Sequence, residues 1–242
     1  MVLPRPSQQE MDDYYQTHSY GEPTLESALA LDKSHFPDSS EDAKRVIKRL
    51  KALAPGKRFM DIGAGVGFFS REARAQGFEV TAFEPNPNSA SGFQQLVGEP
   101  PLQMLLSGNE VNHYVSGQDA VLLSQVLEHI CDVDDMLDTI SKVLVSGGIA
   151  AIAVPYFGSI LSRLQGKKDM YISPPEHVNY FSMAGLDALF ERYGFEKVES
   201  TTVTKVPRKR IGVLPWQLVY GILKVSEYVG KGMIINAYYR KR

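Results

Sequence analysis

The 242-residue sequence predicts an α/β protein built on a doubly wound, mostly parallel sheet, with helices on both faces and a final antiparallel strand. Three stretches carry that reading. Phe59 to Pro85 runs strand, glycine-rich turn, helix, strand. Asp119 to Pro155 runs strand, helix, strand. Two late strand patterns, Phe195 to Thr202 and Met233 to Tyr239, are placed to pair antiparallel. Strands that alternate with helices of this length need crossover connections, which are right-handed.

In chain order, residues 1–40 read as a polar N-terminal arm or lid in which Pro4, Pro6, Pro23 and Pro37 limit any long helix. Its tyrosines Tyr14, Tyr15 and Tyr20 are expected to fold over a ligand mouth and line a substrate pocket. Residues 41–242 read as a single domain. A helix signal begins at Ser40, with Glu41 and Asp42 in its first turn, Ala43, Val46, Ile47 and Leu50 on one face, and Pro55-Gly56 as its stop.

The stretch Phe59 to Ile62 is an apolar run interrupted by Asp61, and it opens onto Gly63, Gly65 and Gly67. Glycines at such spacing let a backbone turn sharply or lie directly against a ligand. Phe68, Phe69 and Ala73 then fall at helical spacing, Gly77 stops the helix, and Phe78 to Phe83 is a second strand that delivers Glu84. An acid there can accept hydrogen bonds from both hydroxyls of a ribose. The dinucleotide fingerprint GxGxxG would place its third glycine where this chain has Phe68, so a nicotinamide-dependent dehydrogenase is the disfavoured alternative.

Beyond Glu84, Asn86 or Asn88 caps a short helix, Leu102 to Leu106 is a third-strand candidate, and Ser107, Gly108 and Asn109 form a turn. Ala120 to Ser124 is a buried-type strand. A helix beginning near Asp134 turns Met136, Leu137, Ile140, Val143 and Leu144 to one side. Gly147-Gly148 ends it, and Ile149 to Val154 is the next strand. Ser182 caps a helix with Leu186, Leu189, Phe190 and Tyr193 inward. Residues 203–232 read as an insertion: a basic loop, VPRKR, and a helix from about Pro215 to Val229 that is apolar almost all round and should therefore bury more than one face.

Composition narrows the function classes. A net charge of −2 provides no basic field for nucleic acid, and the lone Cys131 excludes an internal disulfide framework and a cysteine-rich zinc site. With no secretory leader pattern at the N-terminus and no long apolar span, the expected location is the cytoplasm, with peripheral membrane contact through 208–229 as an extension of it. A dimer contact is a further expected use of the same helix. Asp132, Asp134 and Asp135 are read as complementing a helix N-terminus, and no metal is expected.

The turn GAGVG after Asp61, the run DAVLLSQVLEHICDVDDMLDTISKVLVSGGIAAIAVP (Asp119 to Pro155) and the run PPEHVNYFSMAGLDALFERYGF (Pro174 to Phe195) together resemble class I S-adenosylmethionine-dependent methyltransferases of the small-molecule type. The resemblance implies a Rossmann-like sheet of seven strands and S-adenosylmethionine as cofactor. It implies that Gly63, Ala64, Gly65 and Gly67, flanked by Phe68, lie against the methionine and ribose, with Asp61 helping to hold the amino-acid end. Glu84, next to Pro85, would bind the ribose, Ser124 and Gln125 would line the methyl-donor side, and Asn109 or Glu110 would meet the adenine. The acceptor would be a small molecule, a sugar or a lipid-linked compound, methylated more readily at oxygen than at nitrogen or carbon. Tyr156 and Tyr180 are further substrate candidates. His177 is the preferred general base, oriented by Glu176 or Asn179, and His129 the second candidate, because an imidazole titrates near neutrality. A family member that binds cofactor but serves only as a partner protein is the non-enzymatic alternative.

Overall fold

The computed structural model describes residues 6–7, 10–11, 24–106, 108–169, 171–208 and 215–242. Tyr14, Tyr15 and Tyr20 lie outside them. The principal helices are α1 (Leu25–Ser34), α2 (Ser39–Leu53), α3 (Phe68–Ala75), α4 (Pro87–Val97), α5 (Val133–Val143), α6 (Ile160–Gln165), α7 (Met183–Arg192) and α8 (Trp216–Tyr228). The main sheet is formed by β1 (Arg58–Ile62), β2 (Glu79–Phe83), β3 (Gln118–Ser124), β4 (Leu144–Pro155), β5 (Phe195–Val203) and β6 (Ile234–Lys241), in the order β2-β1-β3-β4-β6-β5.

Local chemistry sets the helix ends. Asp38 caps α2 in a capping box with Glu41, two residues ahead of the expected Ser40, and Asn86, Asp132 and Ser182 cap α4, α5 and α7 with their side chains. The central strands are apolar on both faces because helices cover both. Phe59, Ala120, Leu122, Ile149 and Ala151 meet Val46, Ile47 and Leu50 of α2 on one side. Met60, Val121, Leu123, Ala150 and Ile152 meet Leu137 and Ile140 of α5 and Phe190 of α7 on the other, where Phe190 stacks on Tyr239 with ring centroids 4.1 Å apart.

β1 pairs parallel with both β2 and β3, and β3 pairs parallel with β4. β6 runs antiparallel between β4 and β5. Its direction follows from α8: β5 ends at the carboxyl rim, α8 stays there, and the chain must re-enter the sheet from that same rim. Ile234 accordingly lies opposite both Pro155 and Val203.

Four expectations are corrected. The main sheet has six strands among the described residues rather than seven, because only Leu102 of the 102–106 candidate joins it, as a parallel bridge to Phe83. The Met104 N–H turns back onto the Leu102 carbonyl, which already accepts from Glu84 N, so the chain leaves the sheet after one residue. β4 begins at Leu144, ahead of the glycine pair at which the helix was expected to end. The arm is not irregular throughout: α1 fits between Pro23 and Pro37, its Leu25, Ala28 and Leu29 packed near Val66 and Phe68, and His35–Phe36 forms a two-residue ribbon with Val206–Pro207 of the insertion.

The fourth correction concerns α8, which does not bury several faces. It is tied down by polar contacts: Thr204 N donates to Glu227 Oε1 at 2.8 Å, and the Thr204 and Ser226 hydroxyls lie 3.2 Å apart. Its outward stripe, Leu218, Ile222 and Val225, is 49%, 59% and 62% exposed. No helix among the described residues is long and apolar enough to cross a membrane.

Candidate functional site

The strand order reverses beside β1, and at that switch point the carboxyl ends of β1 and β3 diverge to leave a crevice, the usual ligand position in open α/β sheets. A cavity of about 230 Å³ occupies it, lined by Gly63, Ala64, Gly65, Phe68, Ser124 and Gln125 among others.

The three glycines of the turn divide the work. All have positive φ, at +71°, +54° and +91° for Gly63, Gly65 and Gly67. A Cβ on Gly63 would stand 2.5 Å from a Val126 methyl, and one on Gly67 would stand 2.6 Å from Val97 and 2.7 Å from Phe93. Those two positions are closed by the protein's own packing. A Cβ on Gly65 would meet nothing within 4 Å, although Gly65 lines the cavity, so that position is a cradle left open for a ligand.

Glu84 braces the cradle. Its carboxylate accepts from Gly65 N at 2.7 Å and from Asn86 N at 2.8 Å, and burial raises its pKa against the pull of those two N–H groups. Asp61 is not among the residues that line the cavity. It accepts from the Ser70 hydroxyl at 2.6 Å, and burial, opposed by that bond and reinforced by the nearby Glu84 charge, pushes its pKa up to about 7. That bond ties the end of β1 to α3. Pro85 is exposed. Gln125 adopts a positive φ of 57°, and its backbone N–H donates to Ala153 O at 2.8 Å, which fixes the floor of the crevice between β3 and β4. The side chains of Asn109 and Glu110 lie outside what the structure describes.

Several lining residues were not picked out by motif: Ser39, Asp42, Lys205 and Asn236. Lys205 reaches Asp42 at 2.8 Å and thereby closes the insertion onto α2. The only sequence signal was a first-turn acid and a nearby basic loop. A second cavity of about 640 Å³ lies among α2, β5 and α8, but its charges pair with one another, as in Arg49 with Glu199 and Lys224 with Glu227, and no glycine turn opens into it.

Beyond Gln125, the segment Leu127 to Ile130 is pinned to the loop that precedes α7. Val178 N and Asn179 N both donate to Glu128 O, and the Asn179 amide donates to Leu127 O and Ile130 O at 3.2 and 2.7 Å. Asn179 thus orients a loop rather than the His177 ring. The pinning brings His129 and His177 together, with ring centroids 4.7 Å apart in an edge-on arrangement. Each Nδ1 sits at hydrogen-bond distance from a backbone carbonyl, His129 from Glu176 O at 2.9 Å and His177 from Tyr171 O at 2.8 Å. A carbonyl only accepts, so both rings carry hydrogen on Nδ1 and the lone pair on Nε2. Burial, with the neighbouring His177, lowers the His129 pKa to about 4, which keeps that ring neutral.

Aromatic groups border this cluster. Tyr171 stacks near His177, Phe157 packs against Tyr180, and Tyr156, bridged to Phe181, accepts a hydrogen bond from Lys231 at 2.8 Å. Asp132, Asp134 and Asp135 sit at the start of α5 as expected: Asp132 accepts from Asp135 N, and Asp134 meets Arg192 and the Tyr193 hydroxyl.

Comparison with known proteins agrees with this geometry. The chain is similar to C-methyltransferase NovU of Streptomyces niveus, 24% identical over 190 residues that make up 69% of this chain and 42% of that protein. It is also similar to the ubiquinone biosynthesis O-methyltransferase of Rhizobium etli, 29% identical over 101 residues, 40% of this chain and 41% of that protein. It therefore spans about two fifths of the length of these curated relatives. Among solved structures, magnesium protoporphyrin IX methyltransferase from Synechocystis PCC 6803 with bound SAH superposes with a TM-score of 0.63 at 14% identity, covering 98% of this chain and 100% of that one. A S-adenosylmethionine-dependent methyltransferase from Thermotoga maritima gives a TM-score of 0.57 at 18% identity, covering 97% and 95%. These structures share the Rossmann-like fold. Residues 37–200 match the model of the methyltransferase domain family, and with that match the nicotinamide alternative falls: this chain belongs to the methyltransferase domain family.

Proposed function

We propose that the chain methylates a hydroxyl of a small-molecule, sugar or lipid-linked acceptor seated on the aromatic rim beside His177. When bound, S-adenosylmethionine supplies a methyl group already activated on a sulfonium. The open position at Gly65 and the carboxylate of Glu84 fit that cofactor, and the protein's own task is then to hold the acceptor in line and remove its proton.

The observation that carries the oxygen reading is the His177 ring, fixed by Tyr171 O with its basic lone pair on Nε2. A hydroxyl acceptor needs such a proton acceptor, because without deprotonation the oxygen is a poor nucleophile at neutral pH. His129, held neutral far below the physiological range, is a neighbour that shapes the site rather than a base matched to pH 7. Both curated relatives named above are methyltransferases, one at carbon and one at oxygen, which is consistent with a rim of this kind serving more than one acceptor atom.

The test is turnover of S-adenosylmethionine carrying a labelled methyl with a panel of phenols, sugars and polyprenylated phenols beside their amine analogues. Hydroxyl acceptors should be labelled and amines should not. His177→Ala should lower the rate by about 10² to 10⁴ at pH 7, the range for a lost general base. Full turnover in that variant, or preferential labelling of amines, would overturn the reading.

A further inference from the structure

Glu128 is a buried acid that the proposed reaction does not use. Its side chain is buried, and neither carboxylate oxygen makes a hydrogen bond with any described residue. A buried carboxylate in that condition is costly unless a partner from outside the chain satisfies it. Glu128 is not isolated, however. Ligand atoms of Glu128, His129 and His177 all lie within 4.8 Å of one another.

We infer that Glu128, His129 and His177 form a binding site for one divalent transition-metal ion at the acceptor rim. Two imidazole nitrogens and one carboxylate are the donor set that zinc, cobalt, manganese or ferrous iron accept, with coordination positions left over for water or a substrate oxygen. The supporting shell is already in place. Metal-binding histidines characteristically donate their other ring N–H to a carbonyl or carboxylate, which fixes the ring and leaves the remaining nitrogen to the metal. Both histidines here do so, onto Glu176 O and Tyr171 O. The backbone is equally fixed, since Glu128 O accepts from Val178 N and Asn179 N and so ties the first two ligands to the third. Donors around an ion at ~2.1 Å stand roughly 3–3.5 Å apart, so side-chain rotation of about an ångström would close the triad.

This deepens the proposed function at the same rim without depending on which acceptor is used. A hydroxyl that coordinates such an ion becomes more acidic and loses its proton to solvent. His177 Nε2 would then act as a ligand, with the ion supplying the acidity otherwise asked of the imidazole.

The experiment uses the full chain, stripped with a chelator, and cobalt(II) alone as the probe, so that it is read without turnover. One cobalt per chain should bind, with visible d–d absorption shifted from that of the aquo ion. Glu128→Gln and His177→Ala should each weaken binding at least tenfold while their affinity for S-adenosylmethionine, the check on folding, stays at the wild-type value. Zinc(II) should raise the wild-type melting temperature and should displace the cobalt spectrum. Absence of a shifted spectrum up to millimolar cobalt, or equal cobalt affinity in wild type and Glu128→Gln, would overturn the site. If Glu128→Gln fails to fold, the zinc-dependent melting shift of the wild-type chain decides alone, and no shift overturns the site. Cobalt binding would make His177 a ligand rather than the base, while the hydroxyl acceptor itself is tested separately, by turnover.

Discussion

Gly65→Ala separates ligand contact from protein packing within a single turn. At φ +54° an alanine is strained, but its Cβ has no neighbour within 4 Å. The cost to the protein alone is therefore the left-handed penalty of about 1–2 kcal/mol. For a chain of this size each kcal/mol lowers Tm by roughly 2–4 °C, so the variant should melt about 2–8 °C below wild type. Its methyl, however, stands in the space that the cofactor would use, and the affinity for S-adenosylmethionine should fall at least tenfold, which is ~1.4 kcal/mol. Gly63→Ala is the contrast. It adds a 2.5 Å approach to Val126 to the same strain, and overpacking of that kind costs a further 1–3 kcal/mol or so. Melting curves and calorimetric titration of both variants decide the matter. If Gly65→Ala binds cofactor as wild type does, or melts as low as Gly63→Ala, the cradle assignment is wrong.

Glu84→Gln keeps the shape but turns one acceptor into a donor that faces Gly65 N or Asn86 N, so it should lose about 1–3 kcal/mol of stability and weaken cofactor binding; unchanged calorimetry would contradict the bracing role. Asp61 has a folded pKa near 7 against an ordinary 3.8, so its contribution is favourable below pH ~4 and is lost as pH rises through 7. In cofactor-free protein, Asp61→Asn should gain on wild type by up to about 4 kcal/mol between pH 4 and 8, from roughly three pK units at 1.36 kcal/mol each, and denaturant titrations showing a pH-independent difference would refute this. The outward stripe of α8 is tested by Leu218→Glu with Ile222→Glu. Melting should be nearly unchanged, as for exposed positions, while flotation with anionic vesicles, expected for the wild type if the rim meets a lipid surface, should disappear. Wild-type protein that stays with the soluble fraction would remove the membrane contact.

What could be read from the sequence was what is local in the chain. Glycine spacing, Asp61 and Glu84 sit within one strand–turn–helix–strand unit, and the caps at Asn86, Asp132 and Ser182 are each a single residue against its own helix. The rim cluster was legible only in pieces. His129 and His177 each stood out, but their meeting depends on hydrogen bonds from Val178 and Asn179 across to the 127–130 segment, and no spacing rule encodes that. Glu128 looked like an ordinary charged residue, because burial without partners is a property of the assembled fold. The apolar pattern of α8 was read correctly as a pattern and wrongly as burial: composition shows that a face can be covered, whereas the polar ties at Thr204 and Ser226 determine that it is not.

The three acids that burial pushes up, Asp61, Glu84 and Glu128, gather on one edge of the sheet. Four residues of positive φ (Gly63, Gly65, Gly67 and Gln125), a buried Glu128 without a hydrogen-bond partner and the adjacent acids Asp61 and Glu84 all lie at or just beyond the carboxyl ends of β1, β2 and β3. At the opposite edge the same strands bury Phe59, Phe78 and Ala120 against apolar neighbours, and Asp119 is fully engaged by Arg58, which holds its carboxyl below the usual range. Strain and unpaired charge persist only where the surrounding structure over-determines them, and they mark sites whose partners arrive from outside the chain. The raised acids therefore mark the carboxyl edge as the working end independently of any motif. This edge also explains why one fold can keep its cofactor turn while the acceptor rim differs: the turn rests on packing that a Cβ would break, whereas the rim rests on side chains that can change without disturbing β1.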